Sequence, residues 1–308
     1  MSTSVLIADQ EYEGDWSAGG LVKNDEQLKK VAYRRDGTRS KAGVIVIGSV
    51  LEIEVEGNRG VTYHSDVKVN PRGKVNSSNS VGLTSGGWEK EYQFTLGPMI
   101  DFLHGLGTKA VVNVVGFTPE QVASLVKKVY ALGADLVIIN LSCGNTGGDV
   151  LFFEDSFVFP MVARVRKVVP HGKQVLFKVP YIPSRSMLRR RVEFFDCFEW
   201  VGGIIAINTV ANTLTLNPLT GKPYIEPFKG LAGLGGAGIR PLALGQCQML
   251  LEEINDLQSD MVVGACGGIQ TPEDKEMFME GENVQVHFVK LHTAVREFGS
   301  EVFDDLAD

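Results

Sequence analysis

One stretch gathers more reactive chemistry than any other. Residues 134–145 begin with an apolar run, Leu136 to Ile139, rich in β-branched side chains, and end in Asn140, Ser142, Cys143 and Asn145. A continuous apolar run of that kind suits a strand buried on both faces. Two amides, a hydroxyl and a thiol then stand where a buried parallel strand reaches the surface. In α/β proteins ligands bind at that carboxyl end. A thiol there can serve as a base or a nucleophile, and the amides can read a polar planar ligand. A polar loop around an inert cysteine is the alternative.

Other strand-like runs end in the same way. Gly48-Ser49, Asn113, Lys178, Asn208-Thr209, Cys266-Gly267-Gly268 and His292-Thr293 each close an apolar segment. An asparagine after one strand is commonly a turn residue; amides and hydroxyls after most strands make a polar mouth. Lys178 continues the apolar run Val175-Leu176-Phe177, so it points at that mouth, and a partly buried lysine needs an anionic partner or a function. The Gly-Gly and His-Thr endings suit a phosphate held on backbone N–H groups.

The elements that must position these groups alternate along the chain. Strands are expected at Gly43–Gly48, Lys109–Val115, the central run, Gln174–Val179, Gly203–Ile207, Met261–Ala265 and Val284–Leu291. Helices are expected between them: about Trp88–Gly105 with Phe94 on its apolar side, Thr118–Leu132, Phe157–Val168, around Met187–Phe195, Arg240–Leu257, one opened by Thr271, and Ala294–Leu306. Thr118-Pro119 and Thr271-Pro272 read as N-cap and first helical residue. A short strand at Ser17–Leu21 and a helix from Asp25 to about Arg35 complete eight units, hence a (β/α)8 TIM barrel; an open doubly wound sheet is the runner-up. The long connections Val50–Gly87 and Asn208–Ile239 follow strands, so they should cover the active face with small extra strands, including a ribbon near Val61–Val69. Gly233–Gly238 fits G-x-G-x-x-G, but no buried strand precedes it, so a Rossmann reading fails its context; a glycine loop against a bound cofactor is expected instead.

Composition narrows the class. The 308 residues, 44% hydrophobic, fit one barrel domain over residues 1–308. The net charge of −7 and the lack of a basic block beyond Arg189–Arg191, expected on a solvated face, argue against nucleic acid. Cys143, Cys197, Cys247 and Cys266 show no C-x-x-C spacing, and the five histidines no metal-ligand spacing, so no metal is expected. No apolar run reaches the ~18 residues of a membrane span, and the N-terminus lacks a basic signal-peptide region. A soluble cytoplasmic protein is expected.

The residues resemble the dihydroorotate dehydrogenase family from about 17 to 300. Asn140 to Asn145 is similar to its N-[LV]-S-[CS]-P-N signature, and Asn79-Ser80-Val81-Gly82-Leu83 to its N-S-x-G-[LF]. Phe177-Lys178-Val179, Asn208-Thr209, Gly230–Pro241, Val263–Ile269 and Val289–Ala294 match later motifs in order. The resemblance implies a barrel holding FMN and oxidation of dihydroorotate to orotate, with hydride leaving C6 for flavin N5. It implies that Cys143 is the base for the C5 proton, with an accessible thiol of lowered pKa. Asn79, Ser80, Val81, Gly82, Leu83, Asn140, Asn145, Asn208 and Thr209 would hold substrate. Gly19, Gly20, Ser49, Asn113, Asn140, Lys178 and Ile207 would hold the flavin, with Gly235, Gly236, Gly267, Gly268, His292 and Thr293 around its phosphate.

The pattern is a mosaic. Soluble class 1 enzymes carry T-K-S at the second strand end, where this chain has Ile47-Gly48-Ser49. Ala18-Gly19-Gly20-Leu21-Val22-Lys23 instead resembles the A-A-G-[LF]-D-K of class 2, so Lys23 supplies the missing cation to flavin and substrate. The base is nevertheless the class 1 cysteine, too few residues precede Ser17 for class 2 quinone-tunnel helices, and Gly144 replaces the signature proline. The family implies a homodimer. The acceptor is fumarate exchanging at the same flavin, with NAD through a partner flavoprotein, or quinone, as alternatives. A related dihydropyrimidine or cyclic enone reductase and a non-catalytic flavin-binding protein are the competing readings.

Overall fold

The computed structural model describes residues 4–143 and 150–307. The chain opens with a hairpin, β1 (Ser4–Ile7) and β2 (Gln10–Glu13), paired antiparallel from Ser4↔Glu13 to Ile7↔Gln10. Then come β3 (Trp16–Ser17), α1 (Asp25–Ala32), β4 (Val44–Leu51), β5 (Tyr63–Ser65), β6 (Asn76–Asn79), α2 (Leu96–Gly105), β7 (Lys109–Val115), α3 (Pro119–Ala131) and β8 (Leu136–Asn140). The second half holds α4 (Asp155–Val165), β9 (Val175–Lys178), α5 (Arg185–Asp196), β10 (Val201–Ala206), β11 (Val210–Leu214) and β12 (Leu231–Gly236). It finishes with α6 (Arg240–Leu257), β13 (Val262–Cys266), α7 (Pro272–Met279), β14 (Phe288–Leu291), α8 (Thr293–Phe298) and α9 (Glu301–Ala307).

Eight strands close a parallel barrel in the order β10-β13-β14-β3-β4-β7-β8-β9, with helices between successive strands: a (β/α)8 TIM barrel. The strand pattern explains the closure. In β4, Val44 and Val46 join an inner cluster with Val111, Leu136, Ile138, Leu176 and Ile205, whereas Ile45 and Ile47 pack outward against the helices. Period-2 alternation with both faces apolar requires a layer on each side, and a closed ring of strands wrapped by helices supplies both. Thr118 caps α3 by accepting from the Gln121 N–H, and Thr271 with Asp274 forms a capping box on α7.

Several expectations need correction. Phe94 is 77% exposed rather than packed. The last strand starts at Phe288, and the last helix is two, because Gly299 adopts φ +91 between α8 and α9. Arg191 is buried, donating to the Phe152 carbonyl at 3.0 Å and pairing with Asp155 at 2.7 Å, so that basic run is not all solvated. The N-terminal hairpin, absent from the sequence reading, seals the amino end of the barrel. Val5, Ile7 and Tyr12 join the inner cluster, and the Ala8 N–H donates to Gln174 Oε1 at 2.9 Å.

Above the opposite end, the two long connections form a four-stranded antiparallel sheet in the order β11-β12-β6-β5. The glycine-rich segment is thus strand β12 and not a loop, pairing Gly233↔Asn79 and Gly235↔Ser77. At Gly235, which has no side chain, its backbone runs close beside Ser77, Thr209 and Thr293: a Cβ there would come within 3.0 Å of Ser77 Oγ.

Candidate active site

Between the barrel's carboxyl end and this small sheet lies a cavity of about 1200 Å³, open mouth included. It is walled by strand-end groups and covered by β6 and β12, a place suited to a cofactor with a small substrate.

Its chemistry starts at β8. Buried Asn140 ends the strand, and its Oδ1 accepts from the Ser142 N–H at 3.1 Å and the Ser142 hydroxyl at 2.5 Å. That fixes the amide orientation and turns Nδ2 toward the half-buried Cys143, to whose Sγ it donates at 3.6 Å. From β9, the buried Lys178 Nζ donates to Asn208 Oδ1 at 3.2 Å, and Asn208 Nδ2 to the Ser142 carbonyl at 3.4 Å. One chain of contacts therefore runs from lysine to thiol through the amide of Asn208, Ser142 and the amide of Asn140. Burial pushes the thiol's pKa above the ordinary cysteine value, opposed by Lys178, the Asn140 amide and Lys23. The expected lowered pKa is corrected accordingly: desolvation outweighs the nearby cations.

Lys23 reaches the cavity because the segment after β3 is fastened to the end of β4. The Gly48 N–H donates to the Val22 carbonyl at 2.7 Å and the Gly20 N–H to the Gly48 carbonyl at 2.6 Å. Ile47 faces the helices, fully buried, and Lys23 brings the cation instead. Its Nζ donates to the Thr84 carbonyl at 2.6 Å. Burial lowers its pKa, while the charges of Glu91 and Cys143 oppose that shift. Cys143 and Lys23 thus each favour the charged form of the other.

Most of the sequence-predicted residues converge here. Gly19, Gly20 and Ser49 line one side; Asn79, Val81, Gly82 and Leu83 line the cover. Ile207, Asn208 and Thr209 follow β10, and Gly235, Gly236, Gly267, Gly268, His292 and Thr293 line the end toward β13 and β14. Two predicted residues stand behind the wall. Asn113 is buried under Gly19, and its Nδ2 donates to Ser49 Oγ at 2.7 Å, so it positions Ser49 instead of lining the cavity. Ser80 is buried by its place in the cover: its N–H donates to the Thr62 carbonyl, and its carbonyl accepts from Asn58 Nδ2 at 2.7 Å. Asn145 and Gly144 lie outside the described residues.

The end toward β13 and β14 is built for close approach. Gly267 and Gly268 have φ +151 and +82, and Arg240 locks the turn by donating to the Gly268 carbonyl, the Gly73 carbonyl and Asp274 at 2.8–2.9 Å. Ser77 Oγ and Thr293 Oγ1 are 3.0 Å apart. Desolvation, reinforced by Lys178 and Arg296, lowers the His292 pKa to about 3, so the imidazole is neutral at physiological pH.

Sequence reading missed Ser77, Ile239, Ile269, Gln270, Lys290 and Arg296, all of which line the cavity. Gln270 was not legible: its amide is fully buried and closes on the backbone of Gly73 and Val75, far away in sequence. Lys290 was legible in principle, because it stands two residues after Phe288, on the same face of an apolar strand, as Lys178 does after Leu176. Among the described residues, no group of three His, Cys, Asp or Glu could hold a metal, and no helix is long and apolar enough to cross a membrane.

Comparison with known proteins agrees with this geometry. The sequence model of dihydroorotate dehydrogenase matches residues 15–308. The chain is 25% identical over 300 residues to the dihydroorotate dehydrogenase (fumarate) of Trypanosoma cruzi, covering 95% of this chain and 86% of that protein. It is 24% identical over 280 residues to the dihydroorotate dehydrogenase (fumarate) of Lachancea kluyveri, covering 87% and 80%. It is 29% identical over 202 residues to the catalytic subunit of dihydroorotate dehydrogenase B (NAD(+)) of Alkaliphilus metalliredigens, covering 65% and 62%. With its barrel, its strand-end residues and a match over nearly the whole chain, the protein belongs to the dihydroorotate dehydrogenase family.

Proposed function

We propose that the protein is an FMN-dependent enzyme that oxidises dihydroorotate to orotate in pyrimidine biosynthesis, as one barrel domain. The observation that carries this is the convergence of Cys143, Lys23, Lys178, Asn79 and Asn208 on one cavity at the carboxyl end of the barrel.

The residues fit the cofactor. Gly19, Gly20 and Gly235 stand where a side chain has little room: a Cβ would meet Asn113 at 3.0 Å from Gly19, His292 Nε2 at 3.4 Å from Gly20 and Ser77 Oγ at 3.0 Å from Gly235, so bare backbone lines the cavity there, as close approach of a planar ring system requires. The end with Gly236, Gly267, Gly268, His292 and Thr293 offers backbone N–H groups and hydroxyls for a phosphate. Ser49, Asn140, Ile207 and Lys178 would hold the ring, Lys178 through its charge. When bound, FMN supplies a hydride acceptor for C6 of the substrate.

The chain's own residues do the remainder. The amides of Asn79, Asn140, Asn145, Asn208 and the Thr209 hydroxyl orient the pyrimidine, with Val81, Gly82 and Leu83 closing over it. Lys23 holds the substrate's carboxylate side and favours the thiolate of Cys143. That thiolate takes the C5 proton as C6 gives up its hydride, so substrate loses one hydride and one proton and becomes orotate. The small sheet excludes water, which strengthens each of these charges.

Fumarate exchanging at the same flavin is the proposed acceptor, since relatives named for fumarate match over most of this chain. A homodimer is part of the same reading. The four unpaired cysteines suit a reducing compartment, and we place the protein in the cytoplasm on that ground.

The test is anaerobic. Purified protein should be yellow, lose its flavin absorbance on adding dihydroorotate, and regain it with fumarate. Flavin that dihydrouracil bleaches and dihydroorotate does not would replace the substrate assignment, and Cys143→Ala with unchanged turnover would sink the role of the thiol.

A further inference from the structure

Lys290 stands out among the buried groups that this mechanism does not use. It lies on β14 beside Cys266 of β13 and opposite Trp16 of β3, is 1% exposed, and lines the cavity. Its Nζ has no hydrogen-bond partner among the described residues. What it faces is poor compensation: the Trp16 ring, with Nζ 5.8 Å from the centroid, the Cys266 thiol, and the like charge of Lys178 from β9. An ammonium left without a partner in the interior is strongly unfavourable, so such a group is retained where something anionic is to be met.

We propose that Lys290 is a second cation of the active site, acting with Lys178 to hold the negative charge that accumulates in this cavity when flavin is reduced. The inference rests on the FMN reading above. The balance is simple: the substrate's hydride adds one negative charge to the flavin, and the companion proton leaves on Cys143. The two lysines stand on the barrel floor, on strands separated by β10 and β13. Each follows an inward apolar residue by two positions, Leu176 before Lys178 and Phe288 before Lys290. That places both amines on the inner face at the carboxyl end.

Burial and Lys178 lower the Lys290 pKa to about 7, opposed by Cys266. Near neutral pH this amine therefore takes up a proton when an anion arrives and releases it when the anion leaves. In the empty protein the linkage has a definite sign. The folded pKa is depressed below the unfolded value of 10.5, so the cost of the buried charge is full below pH 7 and disappears as pH rises to 10.5. The titratable groups facing it are Lys178 and Cys266; β3 presents only the indole of Trp16.

The test uses the wild type with Lys290→Met and Lys290→Gln. Without FMN, Lys290→Met should melt several degrees higher than wild type at pH 6, with the gap shrinking by pH 9.5, because a lone charge has been replaced by an apolar chain of similar length. Loaded with FMN, both variants should bind sulfite, which leaves negative charge on the flavin, at least tenfold more weakly. Their reduced-to-oxidised equilibrium should fall by a similar factor, a midpoint potential about 30 mV lower for a two-electron couple. A Lys290→Met that melts lower in the empty state, or variants with unchanged sulfite affinity and potential, would overturn the proposal while leaving the FMN reading intact. A wild type that takes up no FMN would instead sink the FMN reading, and this inference with it.

Discussion

At the residue scale, the site is a set of mismatched charges around a raised thiol. Cys143 sits in a half-closed space where burial opposes ionisation and Lys178, Asn140 and Lys23 favour it. Because its pKa lies above the ordinary cysteine value, the thiolate is scarce at neutral pH. Turnover at low dihydroorotate should therefore increase with pH through an alkaline midpoint, and kcat/KM measured from pH 6 to 10 checks the sign. A profile that falls with rising pH would exclude a thiolate base. Cys143→Ala should keep its FMN and lose about 10²- to 10⁴-fold in the rate of flavin reduction, the usual contribution of a positioned base. Lys23→Ala removes both a cation beside that thiol and its bond to the Thr84 carbonyl. A charged hydrogen bond to the substrate's carboxylate contributes about 1.5–3 kcal/mol, so its loss should increase KM for dihydroorotate roughly tenfold or more.

At the element scale, what matters is how distant segments are held over the strand ends. Strand β12 can lie against Ser77 and Thr293 because three of its last four residues are glycine. The Gly267-Gly268 turn keeps its shape through Arg240, whose guanidinium joins the turn, the Gly73 carbonyl and Asp274 in one place. Arg240→Ala would leave the nearly buried Asp274 facing no cation and release two carbonyls. Urea unfolding should show a loss of about 2–4 kcal/mol, with FMN affinity weakened in the protein that remains folded. Unchanged FMN affinity would mean that the turn holds its shape unaided.

At the scale of the molecule, the two ends of the barrel carry separate duties. The carboxyl end collects polar side chains; the amino end is plugged by β1 and β2 with Val5, Ile7 and Tyr12 in the inner core. Tyr12 is 1% exposed and packs against Trp16 with ring centroids 5.5 Å apart. Truncating a buried aromatic costs about 3–5 kcal/mol, so Tyr12→Ala should unfold at distinctly lower urea. Its KM for dihydroorotate should be unchanged where folded, because the cavity lies at the other end. A changed KM would show that the two ends are coupled.

The sequence by itself determined the barrel and much of its rim. Continuous apolar strands such as Leu136–Ile139, capped helices at Thr118 and Thr271, and polar residues at or near the ends of most strands are local patterns, dictated by burial and by backbone hydrogen bonding. Cys143, Lys178, Asn208 and the glycines after β13 were legible for that reason. Only the tertiary structure decided the features that depend on segments far apart meeting. It turned Gly233–Gly236 into a strand paired with Asn76–Asn79, moved Asn113 and Ser80 behind the wall, and sealed the amino end with Ser4–Glu13. It also raised the Cys143 pKa and left Lys290 without a partner. Burial and charge are properties of what surrounds a group in space, and a chain read in order does not contain them.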